Sequence, residues 1–196
     1  MRTRVGYAGG TLENPTYYHL GDHTETIQID YDPARISYQE LLDIFWNSHS
    51  PTAPSWSRQY MSIIFYHDEE QQRLAEASKA QVEARWGKTV YTEIVPYTRF
   101  YLAEDYHQKY YLRNRVEFLQ QYLSIYPVLD DFVNSTAVTR VNGYLGRNGD
   151  VDLLEKELDD LGLTPELRDR LWRLVAGPNR ALKRDKNPPC ETGACG

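Results

Sequence analysis

The hydrophobic period of this chain changes partway along its length, and that change limits the folds open to it. Over residues 25–31 apolar and polar residues alternate: Glu25, Ile27, Ile29 and Tyr31 point one way, Thr26, Gln28 and Asp30 the other. A period of two marks a half-buried strand. Soon after, Ser37 and Glu40 form a capping-box pair, and Leu41, Leu42, Phe45 and Trp46 give a helix one apolar face. The nearly continuous apolar run over residues 60–66 predicts a second, central strand. Asp68 and Gln71 open a helix expected to reach Trp86 and to end at Gly87, and residues 90–95 predict a third strand. Past Val116 only helical patterns remain. One helix is expected over 116–133, kinked near Pro127, and another over 152–161. A last one opens at Thr164-Pro165, with Leu167, Leu171, Leu174 and Val175 on one face. The expectation is an α+β core over residues 1–115, a helical extension over 116–177 and a polar, cysteine-containing tail over 178–196.

Composition narrows the functions. The net charge of −6 argues against a nucleic-acid or anionic-membrane partner. No apolar run approaches the roughly 18 residues of a membrane helix. No basic-then-apolar leader stands at Met1, so the cytoplasm is the expected compartment. Both cysteines, Cys190 and Cys195, fall among the last seven residues, too close together to staple a fold. A thiol pair in a Pro- and Gly-rich tail suits thiol–disulfide exchange; a dispensable tail and a weak metal site are the other readings.

Several side chains carry chemical interest. Glu25 ends a row expected to face the core, where partial burial would favour a neutral carboxyl able to donate a proton; a frayed, solvated strand end is the bland alternative. Asn14-Pro15 begins a turn that would hold Tyr17 in place. His23 lies two residues before Glu25, but no third ligand is spaced to complete a metal site. Glu104, Asp105 and His107 cluster either as a polar site or as a charged loop opening a short helix. No cofactor or metal is called for.

In order along the chain stand Gly6-Tyr-Ala-Gly-Gly10, Asn14-Pro-Thr-Tyr17, His23-Thr-Glu-Thr-Ile27, Tyr31-Asp-Pro33, Leu41-Leu-Asp-Ile-Phe-Trp46, Gln59-Tyr60 and Ala103-Glu-Asp-Tyr-His-Gln108. This ordered set, spread over residues 3–112, resembles the methionine sulfoxide reductase A family. The resemblance implies a ferredoxin-like α/β sandwich with a mixed or antiparallel sheet. It also implies repair of oxidised proteins by reduction of the S epimer of methionine sulfoxide, free or in peptides. In that family a thiolate attacks the sulfoxide sulfur, methionine leaves, and the resulting sulfenic acid condenses with a second thiol; thioredoxin restores the enzyme. Carried over by position, Glu25 is the acid, Tyr17 and Tyr60 are the phenols facing the sulfoxide oxygen, and Cys190 and Cys195 are candidates for the resolving thiols. His23, Glu104, Asp105 and His107 are candidate lining residues.

Two departures accompany the match. The family's nucleophile lies in a Gly-Cys-Phe-Trp-Gly motif ahead of the Gly6 segment, and the sequence holds no such motif. The linker from Ser50 to Arg58 is also shorter than in many members and has no Asp. Three readings follow. The first is a reductase whose first strand and nucleophile, cysteine or selenocysteine, are encoded upstream of Met1, leaving this chain with very low turnover. The second is a non-catalytic relative that binds oxidised methionine or a protein partner. In the third, Cys190 or Cys195 is itself the nucleophile.

Overall fold

The computed structural model of the chain describes residues 1–177. Strand β1 (Arg2–Ala8) is the centre of a three-stranded antiparallel sheet, flanked by β2 (Thr24–Asp30) and β5 (Phe100–Leu102). The register sets Tyr7 opposite both Glu25 and Tyr101, and Val5 opposite Ile27. A second, parallel pair joins β3 (Ile63–Tyr66) to β4 (Glu93–Pro96). A mixed α+β architecture is therefore present, but in two sheets.

Helix α1 (Tyr38–Asn47) starts where expected: the Ser37 hydroxyl accepts the Glu40 N–H while the Glu40 carboxylate accepts the Ser37 N–H. Helix α2 (Glu69–Trp86) is capped by Asp68, which accepts the Gln71 N–H, and ends on Gly87 in the left-handed region. These helices pack over β3 and β4, burying Leu42, Trp46, Ile64, Ala75 and Val90 together. The Trp46 indole N–H donates to Ser78 Oγ at 2.9 Å, so the buried ring leaves no polar atom unpaired.

The strand expected over residues 60–66 begins only at Ile63, and it is not central: β4 is its one partner. Its apolar run is explained by the helices it supports rather than by strands on both sides. Between β2 and β3 runs an apolar trough of about 320 Å³ lined by Ile27, Ile29, Leu41, Phe45, Ile63 and Phe65. Ile27, expected to face a core, is 56% exposed there.

The helical half comprises α3 (Tyr110–Arg113), α4 (Val116–Ile125), α5 (Leu129–Asn134), α6 (Thr136–Leu145), α7 (Val151–Glu157), a 3₁₀ turn (Leu158–Leu161) and α8 (Pro165–Ala176). The single helix expected over 116–133 is two helices, because Pro127 holds the preceding Tyr126 out of helical geometry. Phe118, Tyr122, Phe132, Val138, Leu154 and Leu171 form a separate core, joined by Leu112. Arg4 Nε donates to Asn134 Oδ1 at 2.6 Å, and Lys109 Nζ reaches Thr3 O at 2.6 Å and Thr139 Oγ1 at 2.8 Å. These bonds fasten the helices to β1, the central strand, whose Val5 and Tyr7 line the candidate pocket. Among the described residues no helix is long and apolar enough to cross a membrane.

Candidate functional site

Glu25 follows the first residue of β2, and its surroundings are built by the loop that arrives from α1. The Glu25 N–H donates to Gln59 O at 3.0 Å, and Gln59 Nε2 donates to Glu25 Oε1 at 2.7 Å. Thr24 Oγ1 donates to Arg58 O at 2.8 Å, so the loop lies against the start of β2. Arg58 in turn is pinned by Glu93 at 2.9 Å. The next residue in the loop, Tyr60, is thereby delivered beside Glu25.

Tyr17 arrives from another direction. Asn14 takes a positive φ of 52°, Pro15 is buried, and Thr16 and His19 exchange backbone hydrogen bonds at 3.2 and 3.0 Å, which closes a tight turn. The Tyr17 N–H donates to Glu104 Oε1 at 2.9 Å. The other oxygen of Glu104 accepts the Tyr7 hydroxyl at 2.7 Å. Tyr7 is 2% exposed, and its phenol is raised well above its ordinary value, by burial first and by the Glu104 hydrogen bond and charge next. Burial pushes the Glu104 carboxyl up, but the Tyr7 hydroxyl and the Tyr17 N–H outweigh that and hold it below its ordinary value. Glu104 is thus a fixed anion that positions Tyr17.

Tyr60 stands close enough to Tyr17 and Glu25 to feel both: its phenol is raised, by desolvation first and by these two neighbours next. A pocket of about 380 Å³ opens beside them, lined by Tyr7, Tyr17, Glu25, Ile27, Ala103 and His107, with Tyr60 just outside its lining. Glu25 and Ile27 also border the apolar trough, so the carboxylate stands where a polar pocket and an apolar channel adjoin.

The structure thus brings Glu25, Tyr17, Tyr60, Glu104 and His107 to one place. The expected partial burial of Glu25 is not observed. It is exposed, with Gln59 Nε2 holding one of its oxygens. The His107 ring lies 4.9 Å from that of Tyr17, and its Nε2 is buried without a hydrogen-bond partner. His23 is apart: it is buried, its Nδ1 accepts the Gly10 N–H at 3.1 Å, and its Nε2 lies 2.8 Å from Leu12 O. Both nitrogens are thus committed to folding the loop after β1. Asp105 is exposed and its charge acts on Arg113 rather than in the pocket. Cys190 and Cys195 lie outside the described residues. Among the described residues no three or more His, Cys, Asp or Glu side chains are grouped to hold a metal.

Sequence reasoning placed Tyr7 and Gln59 in matched motifs but gave neither a role. Tyr7 alternates with Val5 on β1, a pattern too short to single it out.

A pocket lined by the Tyr17 phenol and the Glu25 carboxyl, with Tyr60 beside it and an apolar trough adjoining, is suited to a polar oxygen carried on an apolar side chain. Comparisons with known proteins point the same way. The profile of a family described as peptide methionine sulfoxide reductase matches residues 1–140. A peptide methionine sulfoxide reductase of Drosophila melanogaster is 47% identical over 171 residues, covering 86% of this chain and 68% of that one. One of Methanosarcina acetivorans is 44% identical over 134 residues, 63% of this chain and 70% of the relative. The reduced-form crystal structure of Mxr1 from Saccharomyces cerevisiae superposes with a TM-score of 0.53 at 31% identity, covering 59% of this chain and 71% of that one.

Proposed function

Because this chain belongs to the peptide methionine sulfoxide reductase family, whose members reduce methionine sulfoxide to methionine in protein repair, we propose that Tyr17, Tyr60 and Glu25 are its sulfoxide-oxygen site. The observation that supports this is the approach of three separate segments to one place: Tyr17, held by Glu104, and Glu25 line one pocket, and Tyr60 follows Gln59, which is bonded to Glu25 at that pocket's edge. The phenols donate hydrogen bonds to the sulfoxide oxygen. Gln59 occupies Glu25 Oε1 and leaves Oε2 for the proton that the oxygen takes up. The substrate's side-chain carbons extend over Ile27 and Ala103.

The redox step exchanges one oxygen. A thiolate attacks the sulfoxide sulfur while Glu25 gives its proton to the sulfoxide oxygen; the S–O bond breaks, the thioether leaves, and the oxygen with that proton ends on the thiol sulfur, so the sulfoxide is reduced, the thiol is oxidised to a sulfenic acid and Glu25 is left as a carboxylate. No described residue is a cysteine, so Tyr17, Tyr60 and Glu25 supply binding and proton transfer, and the chain as given is expected to show very low turnover. Cys190 and Cys195 are proposed as the thiols that condense with a sulfenic acid and pass the disulfide to thioredoxin. The family resemblance supports thioredoxin as that reductant. A reducing compartment such as the cytoplasm suits a chain whose two cysteines form no disulfide framework. Residues 1–115 are proposed as the reductase core and 116–177 as an extension that braces β1.

The test adds the family's Gly-Cys-Phe-Trp-Gly segment ahead of Met1 and follows single-turnover release of methionine. Glu25→Gln should slow that step by roughly 10²- to 10⁴-fold, the range for a lost general acid. Single-turnover release should survive Cys190→Ser/Cys195→Ser, while thioredoxin-dependent cycling falls. Equal single-turnover rates for Glu25→Gln and the parent would remove Glu25 from the reaction.

A further inference from the structure

Two of the most exposed aromatic rings on the molecule each rest against one of the two site phenols. Trp56 is 83% exposed, and its ring centroid lies 5.2 Å from that of Tyr60. Tyr18 is 90% exposed and sits edge-on to Tyr17 at 5.4 Å. Tyr60 and Tyr17 are near neighbours. The rings therefore form two adjoining pairs, Trp56–Tyr60 and Tyr18–Tyr17, beside the pocket that Tyr17 lines.

Neither outer ring is held loosely. Trp56 lies inside a turn in which Ser55 Oγ donates to Ser57 O at 2.8 Å, and the loop is tied down at Arg58 by Glu93. Tyr18 is at the tip of the turn closed by Thr16 and His19. Large aromatic surfaces held in water are costly to leave uncovered, and a ring already ordered gives up little freedom when it is covered.

We propose that Trp56 and Tyr18 are a docking rim for the apolar residues that flank an oxidised methionine in an extended polypeptide, so that a sulfoxide with large apolar neighbours is favoured over one with small neighbours. The inference rests on the assignment of Tyr17 and Tyr60 to the sulfoxide oxygen. An extended chain advances about 3.3 Å per residue. A sulfoxide seated at the phenols therefore places its neighbours one or two residues away at the spacing of the outer rings, 5.2 and 5.4 Å. Stacked aromatics can also hold nucleic-acid bases, but that mode needs a cationic groove for the backbone, and this chain carries a net charge of −6.

The test is a set of binding titrations on the full chain. The ligands are N-acetylmethionine S-sulfoxide amide, a pentapeptide with the sulfoxide between two phenylalanines, and the same peptide with two glycines. The phenylalanine peptide should bind roughly three- to tenfold more tightly than the glycine peptide, the size expected of aromatic pairing. In the Trp56→Ala/Tyr18→Ala double variant that preference should vanish, while the small amide binds with unchanged affinity. On binding, the phenylalanine peptide should also protect Trp56 from acrylamide quenching. Persistence of the flank preference in the double variant, with the amide still bound, overturns the rim and leaves the oxygen site standing. Failure of all three ligands to bind the parent chain overturns both.

Discussion

Glu104 joins two tyrosines that lie 97 and 87 residues before it in the sequence: Oε2 accepts the Tyr7 hydroxyl at 2.7 Å while Oε1 accepts the Tyr17 N–H at 2.9 Å. One carboxylate thus fixes a site phenol's backbone to the central strand. Glu104→Gln keeps the shape but offers a single acceptor oxygen, so one of the two donors loses its partner. Hydrogen bonds to a charged group contribute about 1.5–3 kcal/mol. The variant should therefore unfold at lower urea and bind methionine S-sulfoxide several-fold more weakly. A variant matching the parent in both measurements would deny Glu104 its positioning role.

Lys109 is 4% exposed, and no carboxylate is among its bonded partners, which are Thr3 and Thr139. Burial, with the Arg4 charge adding to it, pulls its ammonium down from 10.5 to about 8. The unfolded chain therefore binds the proton more tightly than the folded one. The cost of burying the charge is fully present below pH 8 and is relieved as pH rises from about 8 to 10.5. Relative to Lys109→Met, the parent should gain stability across that window, on the order of 3 kcal/mol at most. Urea unfolding of both proteins at steps of pH would show it. Parallel stability curves would mean that Lys109 is solvated.

Helix starts were the most legible part of this fold. Ser37, Asp68 and Thr164 each cap the helix they were expected to cap, because a cap depends on residues three apart. Pairing was not legible. β5 is three residues long and exists through its bonds to β1, nearly a hundred residues earlier in the chain, and nothing in Phe100-Tyr101-Leu102 announces it. Alternation over residues 25–31 pointed to a strand, which spans Thr24–Asp30, but alternation cannot say whether the face it creates is covered, and so the exposure of Glu25 and Ile27 was missed. The site residues Tyr17, Glu25 and Tyr60 came from the order of motifs along the chain. Gln59 stood in the matched Gln59-Tyr60 pair, but its hold on Glu25 was not legible because it arises only when the loop meets β2.

The openness of that face has its own consequence. Trp46 is buried and bonded to Ser78, whereas Ile27 is largely in water. Trp46→Ala should cost about 3–5 kcal/mol, and Ile27→Thr should stay within about 0.5 kcal/mol of the parent. Urea denaturation of the two variants decides the matter. A loss at Ile27 comparable to that at Trp46 would mean that the trough is closed in solution.

The central claim is that this pocket reads a sulfoxide oxygen through Tyr17 and Tyr60. Titrating the chain with N-acetylmethionine S-sulfoxide amide and, in parallel, with the corresponding thioether tests it most directly, because the two ligands differ only in that oxygen. The sulfoxide should bind at least about tenfold more tightly, as expected when an oxygen meets two donors each contributing about 1 kcal/mol, and Tyr17→Phe/Tyr60→Phe should abolish the difference while leaving thioether binding unchanged. Equal affinity for the two ligands in the parent chain, or an undiminished sulfoxide preference in the double variant, would contradict it.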